Sequence, residues 1–178
     1  MGQTPPDSSD PDRAYREAAA QFGDAIVRLA GTYEADIDRR RDLVQDIHVA
    51  LWKSFAGFRQ QCSVRTWVYR IGHNVATSYV LRERRAQVRN WVALEAIESL
   101  SDGQDVETAV GDQRVYDKLM ALIQRLDLPD RRIMHLYLEW LDAPAIAEIT
   151  HTSPGGINTK LYRLRAILGR AFHQGATS

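Results

Sequence analysis

Apolar residues recur at three- and four-residue intervals along most of the chain, the spacing that gathers side chains on one face of an α-helix. Ala18, Phe22, Ile26 and Leu29 form the first stripe and predict a helix over 12–33. Leu43, Ile47, Leu51, Phe55 and Phe58 predict a second over 37–58, and Val68, Ile71 and Val75 a third over 64–85 whose end turns arginine-rich. Three such helices can share one small core. From 88 to 112 the period fades around Ser101, Asp102 and Gly103, so this stretch reads as a linker with a short helix near 92–97. Order resumes with Leu119, Leu122, Ile123 and Leu126, breaks at Pro129, and continues through Ile133, Leu136, Tyr137 and Trp140. Two short helices are expected after that. The fold class is all-α: two small helical modules, 12–88 and 113–174, joined by an acidic linker, 89–112. Residues 1–11, rich in Pro, Ser and Asp, cannot bury enough apolar area to offset ordering and are expected to be disordered.

The strongest local pattern lies in APAIAEITHTSPGGINTKLYRLR, residues 143–165. Ile146 and Ala147 fall in one helix, His151 at a turn four residues after Ala147, and Ile157 in a second helix ten residues after it. That is the spacing of a helix-turn-helix, whose helices meet on small and apolar residues. Asp142 before Pro144 and Ser153 before Pro154 supply a cap and first turn for each helix. The turn commonly takes Gly, and His151 is among the side chains that tolerate a left-handed backbone. On the second helix Ile157, Leu161, Leu164 and Leu168 face inward. Ser153, Gly155, Gly156, Asn158, Thr159, Lys160, Tyr162, Arg163 and Arg165 are left as candidates to enter a major groove, with donors for base edges and phosphates.

Charge sharpens this reading. The 178 residues balance at zero, which by itself argues against a phosphate-rich partner. Position matters more than the sum. Arg59, Arg65, Arg70, Arg82, Arg84, Arg85 and Arg89 are opposed only by Glu83, and Lys160, Arg163, Arg165 and Arg170 meet no acid from His151 onward. Between them lie Glu95, Glu98, Asp102, Asp105, Glu107 and Asp112. No run approaches the roughly 20 apolar residues of a membrane span. The N-terminus lacks the order of a secretory signal and Cys62 is the single cysteine, so a reducing cytosol is expected.

Two further constellations stand in the first module. Asp42, Gln45, Asp46, Val49 and Trp52 occupy helical positions beside the core stripe and form an acidic, hydrogen-bonding patch. Trp67, Arg70 and Asn74 share a face, preceded by Arg59, Gln60, Gln61, Ser63, Arg65 and Thr66. An aromatic ring beside cationic and amide groups suits unstacked, single-stranded bases. Each also has a plain reading, Trp67 as a core aromatic and the acids as solvated surface.

Together these residues resemble the extracytoplasmic-function group of bacterial RNA polymerase sigma factors. The family pattern D-L-x-Q-[DE] reads Asp42-Leu43-Val44-Gln45-Asp46 here, and T-W-L-x-R-I-A-x-N reads Thr66-Trp67-Val68-Tyr69-Arg70-Ile71-Gly72-His73-Asn74. A basic end follows at Arg82 to Arg85. In the second module, Leu126, Pro129, Arg131, then Ala145-Ile146-Ala147-Glu148-Ile149, then residues 156–165 follow the family's second region in order. The resemblance implies no catalysis, no cofactor and no metal. It implies docking of the acidic patch on the β′ clamp helices of polymerase core, and capture of the minus-ten promoter element by the loop from Arg59 to Thr66 with Trp67, Arg70 and Asn74. It further implies contact of the second module with the β flap, and reading of the minus-thirty-five element by its last helix. An anti-sigma factor is admitted as a further partner, and the acidic linker would thread through polymerase. Ser78, Pro144, Gly156 and Asn158 depart from the family's usual Asp, Glu, Thr and Lys, so promoter sequence does not transfer.

Two other function classes compete. A helix-turn-helix regulator acting without polymerase would leave the patch around Gln45 as surface. An enzyme or metal protein would draw on Cys62, His48, His73, His135 and His151, whose spacing matches no ligand motif. Cys62 as an oxidation sensor would need a resolving partner, which the sequence lacks.

Overall fold

Asp10 starts the fold: its carboxylate accepts from the Asp12 N–H at 3.0 Å and caps helix α1 (Pro11–Tyr33), with Pro11 in the first turn where its missing donor costs nothing. The structure, a computed structural model, describes residues 10–93 and 111–174. These residues form seven α-helices, and no strand occurs among them. Of the residues 1–11 expected to be disordered, 1–9 lie outside the described residues, whereas Asp10 and Pro11 are ordered as the cap and first turn of α1, and most of the expected linker also lies outside the described residues.

α1, α2 (Ile37–Phe55) and α3 (Val64–Ala93) build the first module. Asp36 caps α2 through the Arg39 N–H at 2.9 Å. Ile26, Leu29, Leu43, Ile47 and Leu51 are sealed between the helices, and full burial of each such side chain is worth about 2 kcal/mol. α2 stops at Phe55, short of the expected 58, because Gly57 and Phe58 bond back to the carbonyls of Ser54 and Phe55 in a tight turn. Ser63 caps α3, its Oγ accepting from the Thr66 N–H at 3.0 Å. α3 continues to Ala93, beyond the expected 85 and into the stretch read as linker. Arginine is a good helix former and no Gly or Pro stands between 86 and 93, so a basic surface does not end the helix.

α4 (Gly111–Gln124), α5 (Leu128–Leu138), α6 (Ala143–Thr150) and α7 (Pro154–Gln174) make the second module around Ile123, Ile133, Leu136, Ile146, Ile149, Ile157 and Leu164. α4 begins at Gly111, so residues 111 and 112 are helical and not linker. The break at Pro129 is a helix start, with Asp127 accepting from the Asp130 N–H at 2.9 Å. α7 is 21 residues, not the expected short helix, because its apolar stripe carries on through Leu164 and Leu168. α1 and α3 of the first module lie against α4, α5 and α6 of the second. Gln124 of α4 donates to the Gly31 carbonyl at 2.7 Å across this junction, and the Arg131 guanidinium lies 5.7 Å from the Tyr33 ring. Among the described residues no helix is long and apolar enough to cross a membrane.

Candidate nucleic-acid interface

The α6–α7 pair has the geometry its spacing predicts. Asp142 accepts from the Ala145 N–H at 2.9 Å. His151 closes α6 in the left-handed region, φ 55° and ψ 40°, and its N–H returns to the Ala147 carbonyl. Ser153 accepts from the Gly156 N–H at 3.2 Å and starts α7. A Cβ on Gly156 would come to 3.1 Å from Ser153 Oγ and 3.3 Å from Thr152, so the small residue lets the capping turn close. Ile146, Ala147, Ile149 and Ile157 lock the two helices together.

The nominated α7 residues divide in two. Ser153, Gly155, Asn158, Thr159, Tyr162, Arg163 and Arg165 are exposed and Gly156 is half-buried. Thr159 Oγ1 turns back to the Gly155 carbonyl at 3.0 Å. Tyr162, 79% exposed, and Arg163 point outward with no partner among the described residues. Lys160 instead pairs with Asp130 of α5, and Arg165 stacks over Tyr137. Those two cations brace α7 on α5, which leaves Asn158, Thr159, Tyr162 and Arg163 as the bare reading face.

On α2, Asp42, Gln45, Asp46, Val49 and Trp52 are all exposed on the side opposite the core stripe. Val49 and Trp52, each 49% exposed, add apolar area to the acids. Asp46 lies 3.9 Å from Arg82, and Trp52 Nε1 donates to Asp12 at 2.7 Å. This is a stripe with carboxylates at one end and an indole at the other.

The third group surrounds the loop before α3. Arg59, Gln60 and Gln61 are exposed, with Gln60 at φ 56° and the Gln61 side-chain Oε1 accepting from the Arg59 N–H at 2.8 Å. Ser63 and the buried Thr66 serve the α3 cap, their hydroxyls bonded at 2.9 Å. Trp67 is half-buried, its ring 5.3 Å from that of Phe58 and its Nε1 donating to Ser54 at 2.9 Å. A cavity of about 760 Å³ opens beside the loop, lined by Arg13, Gln21, Phe55, Phe58, Gln60 and Cys62 among others. Burial pushes the Cys62 thiol up, away from the reactive thiolate. Asn74 is exposed one turn past Arg70.

Sequence reasoning missed what holds Arg65 and Arg70. Arg65 Nη2 donates to the Glu139 carbonyl, Tyr69 donates to Glu139 Oε2 at 2.9 Å, and Arg70 stands 3.6 Å from Glu148. Glu139 also accepts two bonds from Arg28, at 2.6 and 2.9 Å. Burial pushes the Glu139 carboxyl up, but the bonds from Arg28 and Tyr69 outweigh it and hold the group below its ordinary value. Among the described residues no set of three or more His, Cys, Asp or Glu converges to hold a metal ion. His73 and His135 are buried in the junction, while His48 pairs with Tyr15 at 3.2 Å.

Residues 19–86 match the Sigma-70 region 2 family. The chain is 31% identical over 163 residues to the RNA polymerase sigma factor NccH of Alcaligenes xylosoxydans xylosoxydans, covering 87% of this chain and 84% of that protein. It is 26% identical to the ECF RNA polymerase sigma-E factor of Haemophilus influenzae, over 88% of this chain and 86% of the other. Its fold is similar to that of the sigma factor RpoE solved with the anti-sigma factor NepR from Bartonella quintana, with TM-score 0.66, 20% identity and coverage of 88% and 94%. It is also similar to CnrH solved with the cytosolic domain of CnrY, with TM-score 0.61, 24% identity and coverage of 95% and 100%.

Proposed function

The chain belongs to the extracytoplasmic-function group of RNA polymerase sigma factors, and from that premise we propose how its surfaces divide the work of transcription initiation. The α2 stripe of Asp42, Gln45, Asp46, Val49 and Trp52 docks on the clamp helices of polymerase β′. The loop at Arg59, Gln60 and Gln61, with Arg65, Trp67, Arg70 and Asn74, receives the opened minus-ten strand, where cations meet the backbone and aromatic groups meet bases. α7 enters the major groove at the minus-thirty-five element through Asn158, Thr159, Tyr162 and Arg163, while its module rests on the β flap.

The observation that carries this reading is that one chain bears both a bare reading helix and, on a different module, an exposed acidic stripe at the family's polymerase-docking positions. A regulator that never meets polymerase gives that stripe no purpose. On this reading the protein redirects polymerase by binding and performs no catalysis itself, and it acts in the cytoplasm where polymerase and chromosome meet. Core enzyme supplied with the purified chain and a promoter library should initiate at a subset of sites that core alone ignores. Absence of any new start site, with the chain stoichiometrically bound or not, refutes the assignment.

A further inference from the structure

Two tryptophans of the first module donate hydrogen bonds through their indole N–H groups, and the two bonds differ in what they hold. Trp67 donates to Ser54 with its ring half-buried and packed on Phe58. Trp52 donates to Asp12 Oδ1 at 2.7 Å while its ring stays 49% exposed, at the end of the α2 stripe assigned to polymerase docking. Its partner stands forty residues away in the first turn of α1. A bond to a carboxylate is charge-assisted, short and directional. Asp12 is itself held in place, since its N–H is capped by Asp10 at 3.0 Å and its carbonyl accepts from Arg16 Nε at 3.2 Å.

Stability does not account for the Trp52 bond. α1 and α2 are already held by Ile26, Leu29, Leu43, Ile47 and Leu51, sealed between the helices, whereas a hydrogen bond at the surface adds little because water competes for both partners. What the bond fixes is direction. An exposed indole without a partner samples several rotamers, and Asp12 selects one that leaves half of the ring in solvent. A second contact supports it one turn back on α2, where His48 Nδ1 lies 3.2 Å from the Tyr15 hydroxyl and the rings meet edge to face, centroids 6.1 Å apart at 86°. Tyr15 is one turn beyond Asp12 on α1, so two consecutive rungs tie the antiparallel helices beneath the indole.

Association costs free energy for every mobile side chain that must be ordered at the interface, so an anchor ordered beforehand binds more tightly. Tryptophan is a favoured anchor because it presents a large face on few rotatable bonds. Val49, also 49% exposed and one turn before Trp52, needs no such help, since a β-branched side chain is stiff at χ1. The two apolar members of the stripe are therefore both preset, Val49 by its own branching and Trp52 by Asp12.

We propose that Asp12 is a positioning residue for polymerase docking: its carboxylate holds the Trp52 indole in the orientation that the clamp helices receive, without itself touching them. The first turn of α1 then belongs to the docking machinery, although it precedes residues 19–86, which carry the family match. This role rests on the docking function given above to the α2 stripe.

The test titrates labelled core enzyme with the full chain and with Asp12→Ala, Asp12→Asn, Trp52→Phe and the double variant Asp12→Ala/Trp52→Phe. Asparagine keeps an acceptor oxygen and alanine does not, while both remove the same charge from the first turn of α1. Phenylalanine keeps an aromatic face and deletes the indole donor. Asp12 is exposed, and Asp10 and Pro11 still start the helix in every variant, so the fold is kept, which circular dichroism checks. Asp12→Ala is expected to weaken core binding about threefold, with Asp12→Asn near the parent and the double variant no weaker than Trp52→Phe alone. Equal losses for Asp12→Ala and Asp12→Asn overturn the positioning role, as does the same loss from Asp12→Ala with and without the indole N–H. Parent affinity in Asp12→Ala overturns it as well. Gln45→Ala/Asp46→Ala, measured alongside, separates this failure from that of the stripe. A weakened core complex in that variant with Asp12→Ala at parent affinity keeps the stripe and removes Asp12, whereas parent affinity in both that variant and Trp52→Ala removes the stripe and the positioning role together.

Discussion

The imidazoles of His73 and His135, one from each module, stand with ring centroids 5.1 Å apart and planes at 75° in the buried junction. Tyr33 is hydrogen-bonded to His73 Nδ1 at 2.8 Å, Tyr69 stacks on His73, and Arg132 adds positive potential. Among the described residues only Glu139, 3.9 Å from His135 Nε2, favours a charged ring. Burial therefore dominates and lowers both histidines, His135 to about 4.

This fixes the sign of a pH dependence. The unfolded chain takes up a proton on His135 near pH 6.5 while the folded chain refuses it until about pH 4, so stability is lost as pH falls through that window. From pH 7 to pH 5 the loss expected from His135 alone is about 2 kcal/mol, and His73 acts in the same direction. Denaturant melts at the two pH values should show it, and His135→Leu should flatten the difference. An unchanged slope in that variant would remove His135 as the source.

The α2 stripe is tested by Gln45→Ala together with Asp46→Ala. Both side chains are exposed, and Asp46 has only a 3.9 Å approach to Arg82, so the fold should be unaffected. Polymerase core binding is expected to weaken about tenfold or more, as for the central residues of an interface, while duplex affinity of the isolated chain stays the same. Titration of labelled core enzyme distinguishes this from a general loss of folding, and undiminished core affinity would return the stripe to ordinary surface.

On α7 the two prominent cations should behave differently. Arg163 has no partner among the described residues, so Arg163→Ala should weaken duplex binding and lower the salt slope by about one. Lys160 is engaged with Asp130, so Lys160→Ala should mainly cost stability, about 0.5 kcal/mol for a partly exposed pair. Anisotropy at several salt concentrations separates the two. A larger fall in salt slope for Lys160→Ala than for Arg163→Ala would reverse the assignment.

What the sequence made legible was local. The stripes of α1, α2 and α7, the caps at Asp142 and Ser153 and the left-handed turn at His151 depend on neighbours a few residues away, so they could be read from spacing. The length of α3 is not legible in its basic run, because arginines favour a helix and no Gly or Pro over 86–93 ends it before Ala93. The engagement of Arg65, Tyr69 and Arg70 was invisible, since their partners lie about seventy residues or more away and Glu139 sits in Leu138-Glu139-Trp140 without a motif to mark it. Lys160 read as a donor for DNA for the same reason: Asp130 meets it only through the tertiary fold.

Trp140 follows Glu139 and carries the last prediction. It is 90% exposed and holds φ at 61°, in the left-handed region that a bulky side chain adopts only at a cost. The turn from α5 into α6 demands this backbone: the Trp140 N–H bonds to the Tyr137 carbonyl at 3.0 Å and the Leu141 N–H to the Leu136 carbonyl at 3.1 Å. Glycine meets that geometry without steric penalty, although it loses more freedom on folding than any other residue. The steric relief of about 1–2 kcal/mol exceeds the entropic loss of about 0.5–1 kcal/mol, and so exposed a ring has little packing to lose. Trp140→Gly should therefore stabilise the chain by about 0.5–1 kcal/mol, raising Tm by a few degrees in calorimetry. A lower Tm would mean that the indole makes contacts worth more than the strain it imposes.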